Sequence, residues 1–143
     1  MGLGQAVTMA RDCVAGLGFR HATPTDEIVG LIHQALAACG LDPGRLGRLA
    51  TAADRAEEPA IRAVAAVFAV PLVAVPSDAL IAVDDLVVTR SGRIAASRGI
   101  GSVAEAAALA VAGPQATLLL PRIASGGATC ALALGPQSVT QAT

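Results

Sequence analysis

Residues 14–40 read VAGLGFRHATPTDEIVGLIHQALAACG, and their pattern decides the fold class. The apolar run at 14–19 predicts a short buried strand, which leads into the polar pair Arg20 and His21. Thr23 and Pro24 then predict the start of a helix, because proline is favoured at the first helical position. The stretch is therefore a strand, a turn and a helix, the repeating unit of an α/β protein.

The predicted helix has one apolar face. We expect Thr23 to be its N-cap, with Asp26 completing an approximate capping box. Apolar residues then recur at the spacing of a single helical face, and Gly40 ends the pattern. The face consists of Ile28, Leu31, Ile32, Ala35, Leu36 and Cys39.

The same alternation continues to the end of the chain. Further strands are predicted at 49–53, 72–75, 117–120 and 129–134, and further helices from Pro59 to Phe68, from Asp78 to Val83 after a Ser77 cap, and from the Ser102–Glu105 capping box to Ala112. A hairpin at 126–127 would make the last two strands antiparallel. We therefore predict an α/β fold with helices on both faces of a mixed sheet of about five strands. We expect one domain over 13–134, with flexible termini at 1–12 and 135–143.

Composition excludes several functional classes. The net charge is −1 and only two residues are aromatic, so the chain lacks the basic surface and the stacking platforms of a nucleic-acid-binding protein. No segment is predicted to cross a membrane, and no secretory signal is recognised. The three cysteines lie far apart and form no CxxC pair, which favours a reducing cytoplasm without disulfides or a metal site.

Three junctions between a strand and a helix each carry an arginine. They contain Arg20, Arg55 and Arg98, and each lies before a predicted helix start. Ligands of open α/β sheets bind at the carboxyl ends of strands, where helix N-termini attract anions and arginine forks bind carboxylates. The pattern predicts a rim that binds several carboxylates together. The structural alternative is that these arginines are simply solvated loop residues.

Catalytic candidates are few. His21 lies at the expected mouth of the site and could act as an acid–base group, and Glu58 could act as a general base. A polar contact for His21 and a helix-dipole contact for Glu58 are the simpler interpretations. Ser102 and Glu105 are explained by helix capping, and we predict no bound metal and no cofactor.

The same junctions carry a family resemblance. Residues 16–24, GLGFRHATP, match the opening GIGCRRGT-type segment of the CobE family, which is similar to the C-terminal domain of CbiG. Residues 38–42, 55–59 and 99–109 follow further motifs of that family, of which GIGSVAEAAAL at 99–109 is the most recognisable. Pro121 and Arg122 occupy the place of a Pro-Lys pair after the penultimate strand. The resemblance spans about residues 13–134.

The resemblance implies a three-layer α/β/α fold and a place in cobalamin biosynthesis. Precorrins are flat macrocycles with many acetate and propionate arms, which suits an arginine-rich rim. Full-length CbiG proteins are hydrolases that open a lactone of a precorrin-5A-type ring and release acetaldehyde. Phe19 stands where cysteine is common in the family, Ala22 where glycine is common, and Arg55 and Arg122 replace lysines. A role that needs only positive charge survives these departures.

Three functions remain open from the sequence. The first is a carrier that binds a polycarboxylated corrin-ring precursor, the second a hydrolase of a precorrin-5A-type lactone, and the third an accessory subunit of a pathway methyltransferase. The expected partners are a corrin-ring intermediate and other cobalamin-pathway enzymes. The candidate ligand-binding residues are Gly18, Arg20, His21, Thr23, Arg55, Glu58, Arg98, Gly99, Gly101, Ser102 and Arg122.

Overall fold

A computed structural model describes residues 11–88 and 102–135. We number its strands and helices in chain order. The strands are β1 Cys13–Phe19, β2 Leu46–Ala52, β3 Leu72–Val75, β4 Thr117–Ala124 and β5 Ala128–Leu134. The helices are α1 Thr25–Ala38, α2 Pro59–Phe68, α3 Ser77–Ala82 and α4 Val103–Ala112, with short 3₁₀ turns at Pro43–Arg45, Ala53–Arg55 and Asp84–Leu86.

The strands form a mixed five-stranded sheet in the order β3-β2-β1-β5-β4. β1, β2 and β3 are parallel, whereas β5 runs antiparallel to both β1 and β4. The carboxyl ends of β1 and β2 therefore lie at the same edge as the hairpin between β4 and β5. The β1–α1 loop, the β2–α2 loop and the hairpin therefore lie together at the carboxyl ends of β1 and β2.

Helices cover both faces of the sheet, which confirms the predicted three-layer α/β/α class. On one face α1 and α2 pack against alternate residues of β1, such as Ala15 and Leu17. On the other face α3 and α4 pack around Val14, Ala50 and Ala133. Alternate side chains of a strand point to opposite faces, so β1, which is buried except at Gly18, contributes to both cores.

Gly16 allows α4 to lie directly on β1. A Cβ atom at this position would fall 1.9 Å from the carbonyl oxygen of Ala104 and 2.9 Å from the Cβ of Ala108. Ala104 and Ala108 of α4, the residues nearest to Gly16, are fully buried and have small side chains. The small residues on both elements therefore allow the close approach.

The structure corrects several boundaries and caps. Thr23 is not the N-cap of α1, because the cap residue is Pro24 and no side chain bonds to the first helical amides. Ser77 likewise begins α3 instead of capping it, after Pro76. β2 begins at Leu46 and β4 extends to Ala124, so Pro121 and Arg122 lie inside β4 and not after it. Proline is tolerated there because β4 is an edge strand.

Several other helix ends agree with the sequence pattern, although α3 ends at Ala82 and not at the predicted Val83. Ser102 caps α4, its hydroxyl oxygen accepting the Glu105 amide at 3.3 Å. Gly40 follows the Cys39 C-cap of α1 and has a positive φ of 66°, as is common where a helix stops. The predicted irregular region at 84–101 lies mostly outside the described residues, and with it Arg98, Gly99 and Gly101. Among the residues that the structure describes, no helix has the length and apolarity needed to cross a membrane.

Candidate functional site

A cavity of about 620 Å³ opens at the sheet edge where the loops collect. Its walls come from the end of β1, the end of β2, the start of α4 and the β4–β5 hairpin. The lining residues are Gly18, Phe19, Arg20, Thr51, Ala52, Arg55, Ser102, Val103, Arg122, Ala124, Ser125, Gly126, Gly127, Ala128 and Thr129. The volume is within the range of small-molecule sites, about 300–1,000 Å³.

Five of the residues singled out in the sequence line this cavity. They are Gly18, Arg20, Arg55, Ser102 and Arg122. The topology therefore brings together the first two of the predicted arginine junctions, and it adds Arg122 from β4. Arg98, Gly99 and Gly101 lie outside the described residues, so the third junction is not placed.

Thr23 lies beside the cavity without lining it. The side chain is buried in the β1–α1 turn, where its hydroxyl is 2.8 Å from the carbonyl oxygen of Arg20 and 3.0 Å from that of Gly127. A hydroxyl carries one proton, so it donates to one of these oxygens at a time. Thr23 therefore supports the turn that carries Arg20.

Arg20 and Arg122 line the cavity with positively charged side chains. Within the described residues neither guanidinium has an acidic partner, whereas Arg55 is paired with Glu58. The start of α4 faces the same space through Ser102 and Val103. The first amides of a helix lack intrahelical acceptors, so this end attracts anions. The cavity is therefore suited to an anionic ligand.

His21, Arg55 and Glu58 form a compact cluster at the rim. The Nη1 atom of Arg55 donates to Oε2 of Glu58 at 2.6 Å, and Nδ1 of His21 lies 2.8 Å from the same oxygen. Nδ1 also lies 3.0 Å from Arg55 Nη1, but two donors cannot bond to each other, so a protonated Nδ1 donates to Glu58. Among the residues that the structure describes, Nε2 of His21 then has no hydrogen-bond partner, and the side chain is 80% exposed.

Arg55 connects this cluster to the cavity. Its guanidinium lies over the ring of Phe19, 5.3 Å from the ring centroid, and both residues line the cavity. His21 and Glu58 do not line it, and contact it only through Arg55. The cation–π contact and the ion pair together fix the direction of the Arg55 side chain.

The hairpin wall is anchored by a residue that sequence reasoning missed. Oε2 of Glu27, in the first turn of α1, accepts the Ser125 hydroxyl and the Gly127 amide, the latter at 2.7 Å. The bond from Ser125 and then that from Gly127 hold the pKa of Glu27 below its ordinary value. The Gly127 carbonyl accepts the Arg20 amide at 2.9 Å, so the hairpin and the β1–α1 turn are one bonded unit.

Two polar threonines complete the wall near β1. The buried Thr51 hydroxyl donates to the Leu17 carbonyl at 2.8 Å, and that of Thr129 lies 3.4 Å from the Gly18 carbonyl. A Cβ at Gly18 would lie 2.8 Å from Thr129 Oγ1, so a larger residue would require this side chain to move. Gly18 therefore allows Thr129 to pack closely against β1.

None of the cysteines lines the cavity. Burial is the main cause that raises the pKa of Cys13 to about 12, and burial also raises the pKa of Cys130 and Cys39. Thiols with raised pKa values are poor nucleophiles at neutral pH. Within residues 11–88 and 102–135, no group of three or more His, Cys, Asp or Glu residues is placed to hold a metal ion.

Comparison with known proteins assigns the family. Residues 13–133 match the family model described as the C-terminus of cobalamin synthesis protein G. The chain is also 42% identical over 126 residues to the protein CobE of a Sinorhizobium species, covering 88% of this chain and 81% of that protein. The chain belongs to the CobE and CbiG C-terminal family. It is a cobalamin biosynthesis protein.

Solved structures of the CobE and CbiG C-terminal family agree with this fold. A crystal structure of CobE, a protein of the cobalamin (vitamin B12) pathway, superposes with a TM-score of 0.80 at 28% identity and covers 85% of this chain and 89% of that chain. The cobalamin biosynthesis protein ChiG of Agrobacterium tumefaciens is 34% identical with a TM-score of 0.68, covering 86% and 98% of the two chains. A cobalamin biosynthesis protein G homolog of Sulfolobus solfataricus is 24% identical with a TM-score of 0.69. It shares the fold over 87% of this chain and 37% of that chain.

Proposed function

We propose that this chain binds a polycarboxylated corrin-ring precursor, as a carrier or accessory factor of cobalamin biosynthesis. The observation that carries the proposal is the convergence of Arg20, Arg55 and Arg122 with the start of α4 around one cavity. A precorrin or hydrogenobyrinic-acid-like ring presents several carboxylates around a flat macrocycle. Separate positive groups around one opening are the arrangement that such a ligand needs.

The charge balance favours carboxylates over neutral ligands. Arg55 shares its charge with Glu58, but Arg20 and Arg122 have no acidic partner among the described residues. Each guanidinium can bind a carboxylate through two parallel hydrogen bonds. A charge-assisted hydrogen bond contributes about 1.5–3 kcal/mol net, so two such contacts supply useful affinity.

The apolar part of the wall suits the ring itself. Phe19, Ala52, Val103 and Ala124 line the cavity between the polar groups. Ligand sites are typically mostly apolar with a few placed polar groups that fix orientation. Apolar contacts with the macrocycle and charged contacts with its arms would then act on the same ligand.

The test is an absorbance titration with two matched ligands. A corrin with free acid arms should bind saturably at micromolar protein, and the methyl ester of the same corrin should bind at least about tenfold more weakly, because it cannot accept charged hydrogen bonds. Equal affinity for acid and ester would remove the basis of the proposal. The absence of saturable binding would do the same.

Arginine variants locate the binding site. Arg20→Gln and Arg122→Gln should each weaken binding of the acid by about 5–150-fold, the equivalent of about 1–3 kcal/mol. Arg48→Gln is the matched control, since Arg48 lies on β2 outside the cavity and the variant has the same change of charge. An equal loss in all three variants would indicate a general charge effect and not a site.

The His21–Glu58 contact favours a second candidate function, hydrolysis of a lactone on the same class of ring. With Nδ1 donating to Glu58, Nε2 of His21 can take a proton from water as the water oxygen attacks the lactone carbonyl. The ring C–O bond then breaks, the leaving oxygen takes up the proton, and the product is a hydroxy acid. The net reaction adds one water molecule.

Mass analysis separates this reaction from simple binding. Incubation with a precorrin-5A-type lactone should add the mass of water, and His21→Ala should slow the reaction by about 100-fold or more. Glu58→Gln should also slow the reaction, because the neutral glutamine amide holds the Nδ1–H of His21 less strongly than the charged carboxylate does. An unchanged ligand mass with retained binding would favour the carrier function.

A further inference from the structure

We propose that Glu105 is a positioning residue that sets the place of Arg122 in the cavity wall. This inference rests on the proposed function, because it concerns the same corrin-binding site. The sequence pattern assigns Glu105 to the capping box of α4. The structure adds a different role, since both carboxylate oxygens accept backbone amides from outside the helix.

The Arg122 amide depends on Glu105 because β4 is irregular at this point. Leu120 pairs with Leu132 and Ile123 with Cys130, so Pro121 and Arg122 lie opposite the single residue Ala131. Pro121 has no amide proton, and the Arg122 amide donates 2.8 Å to Oε2 of Glu105. The Glu105 carboxylate therefore accepts the amide that a carbonyl of a partner strand would accept in a regular sheet. Bulges commonly redirect a side chain beside a functional site.

Because Glu105 is buried, its carboxylate needs hydrogen bonds from the protein in place of its hydration. Glu105 is fully buried, and the amide of Val88 donates 2.8 Å to its Oε1. A buried charge is tolerated only when hydrogen bonds compensate its lost hydration, so both amides are held firmly. The segment at Val88, α4 and the bulge of β4 thus meet at one side chain, and Arg122 cannot move independently of α4.

The decisive experiment is a pair of double-mutant cycles. In Glu105→Gln the side chain offers two backbone amides a single, uncharged oxygen, so the bond to the Arg122 amide is lost or weakened and Arg122 should be held less firmly. Binding of a corrin polycarboxylate should weaken about tenfold in the wild-type and Arg20→Gln backgrounds, but less than about twofold in the Arg122→Gln background. Equal losses in both arginine backgrounds would show a general structural effect and overturn the proposal.

Hydrogen exchange of the ligand-free protein supplies a readout that does not depend on binding. Exchange at the Arg122 amide should become faster in Glu105→Gln and in Glu105→Asp, whose carboxylate is one methylene shorter. Glu57→Gln is the control, because Glu57 is exposed and pairs with Arg62 away from the cavity. Unchanged exchange at Arg122 would overturn the inference. Failure of the wild type to bind a corrin polycarboxylate would overturn the proposed function alone, and the exchange result would then decide the role of Glu105.

Discussion

At the scale of single residues, the site contains a small amount of backbone strain. Ala22, in the turn between β1 and α1, has a φ of 67°, in the left-handed region that favours glycine. The family resemblance places glycine commonly at this position, and the geometry gives the reason. Ala22 follows Arg20 and His21 directly, so the strained residue is part of the turn that presents them.

Replacing Ala22 with glycine should therefore stabilise the protein. The left-handed conformation costs about 1–2 kcal/mol for a residue with a Cβ, and the extra freedom of glycine in the unfolded chain offsets about half of that. The net gain should be about 0.5–1 kcal/mol in urea unfolding. Ala37→Gly is the control, because Ala37 lies exposed within α1 and should lose about 1 kcal/mol. Destabilisation by Ala22→Gly would contradict this account of the turn.

Glu27 predicts a pH-dependent contribution to stability. Its bonds from Ser125 and Gly127 lower its pKa below the ordinary 4.5, so the unfolded state binds the proton more readily than the folded state. The contribution is therefore complete above pH 4.5 and is lost as the pH falls through the lower folded value.

Urea unfolding of wild type and Glu27→Gln at several pH values would test this contribution. The wild type should be more stable than the variant near pH 6, and the difference should shrink as the pH falls below 4.5. In a Ser125→Ala background the difference should be smaller throughout, because the larger of the two causes is gone. A difference that grows on acidification would refute the assigned sign.

At the scale of secondary-structure elements, the decisive contact is that of α4 on β1. The Ala-rich helix can approach the strand because Gly16 lacks a Cβ atom, and its first turn then reaches the cavity. A glycine within a strand is explained either by an unusual backbone angle or by the close approach of a neighbouring group. Neither Gly16 nor Gly18 has a positive φ, and at both positions an added Cβ would lie within 3 Å of another residue, so close approach explains both.

Gly16→Ala should separate α4 from β1. The added Cβ would meet the Ala104 carbonyl oxygen at 1.9 Å, which requires a shift of backbone. Overpacking of this kind costs about 1–3 kcal/mol, and binding should weaken as well because Ser102 moves with α4. Gly30→Ala is the matched control: Gly30 lies within α1 with no atom near its absent Cβ, and alanine should stabilise it by about 1 kcal/mol. Similar effects in both variants would contradict the close-packing argument.

At the scale of the whole molecule, the distribution of charge matters more than its sum. The chain has a net charge of −1, yet two arginines without acidic partners among the described residues share one cavity. Local fields in a cleft of one sign can attract a ligand of opposite charge even when the protein is nearly neutral. The positive charge of Arg20 and Arg122 should therefore act on a ligand that enters the cavity.

Ligand binding should stabilise the whole domain. At a free ligand concentration of 100 times Kd, the corrin polycarboxylate should add about 2.7 kcal/mol to the free energy of unfolding. For a domain of this size that corresponds to a rise in Tm of roughly 5–10 °C in a thermal melt. The methyl ester and the Arg20→Gln/Arg122→Gln variant should show little or no rise. A comparable rise in the double variant would place binding elsewhere on the molecule.

The sequence alone determined the order of strands and helices along the chain, the α/β class and most helix ends. These features follow from local causes: periodic apolar residues, glycine stops and the Ser102 cap, each of which acts within a few positions of chain. The local rules were wrong at Thr23 and Ser77, which carry the hydroxyl side chains typical of helix N-caps. At Thr23 the nearby Arg20 and Gly127 carbonyls take the hydroxyl instead.

Only the tertiary structure decided which junctions meet and what their supports are. Glu27 reaches Gly127, 100 positions away, and the Glu105 carboxylate joins Val88 to Arg122 across the α4 layer. Such contacts depend on the order of strands in the sheet, which no local pattern specifies. The sequence could place arginines at strand ends, but the pairing of β1 with β5 and of β5 with β4 brings Arg122 and the hairpin to the same cavity.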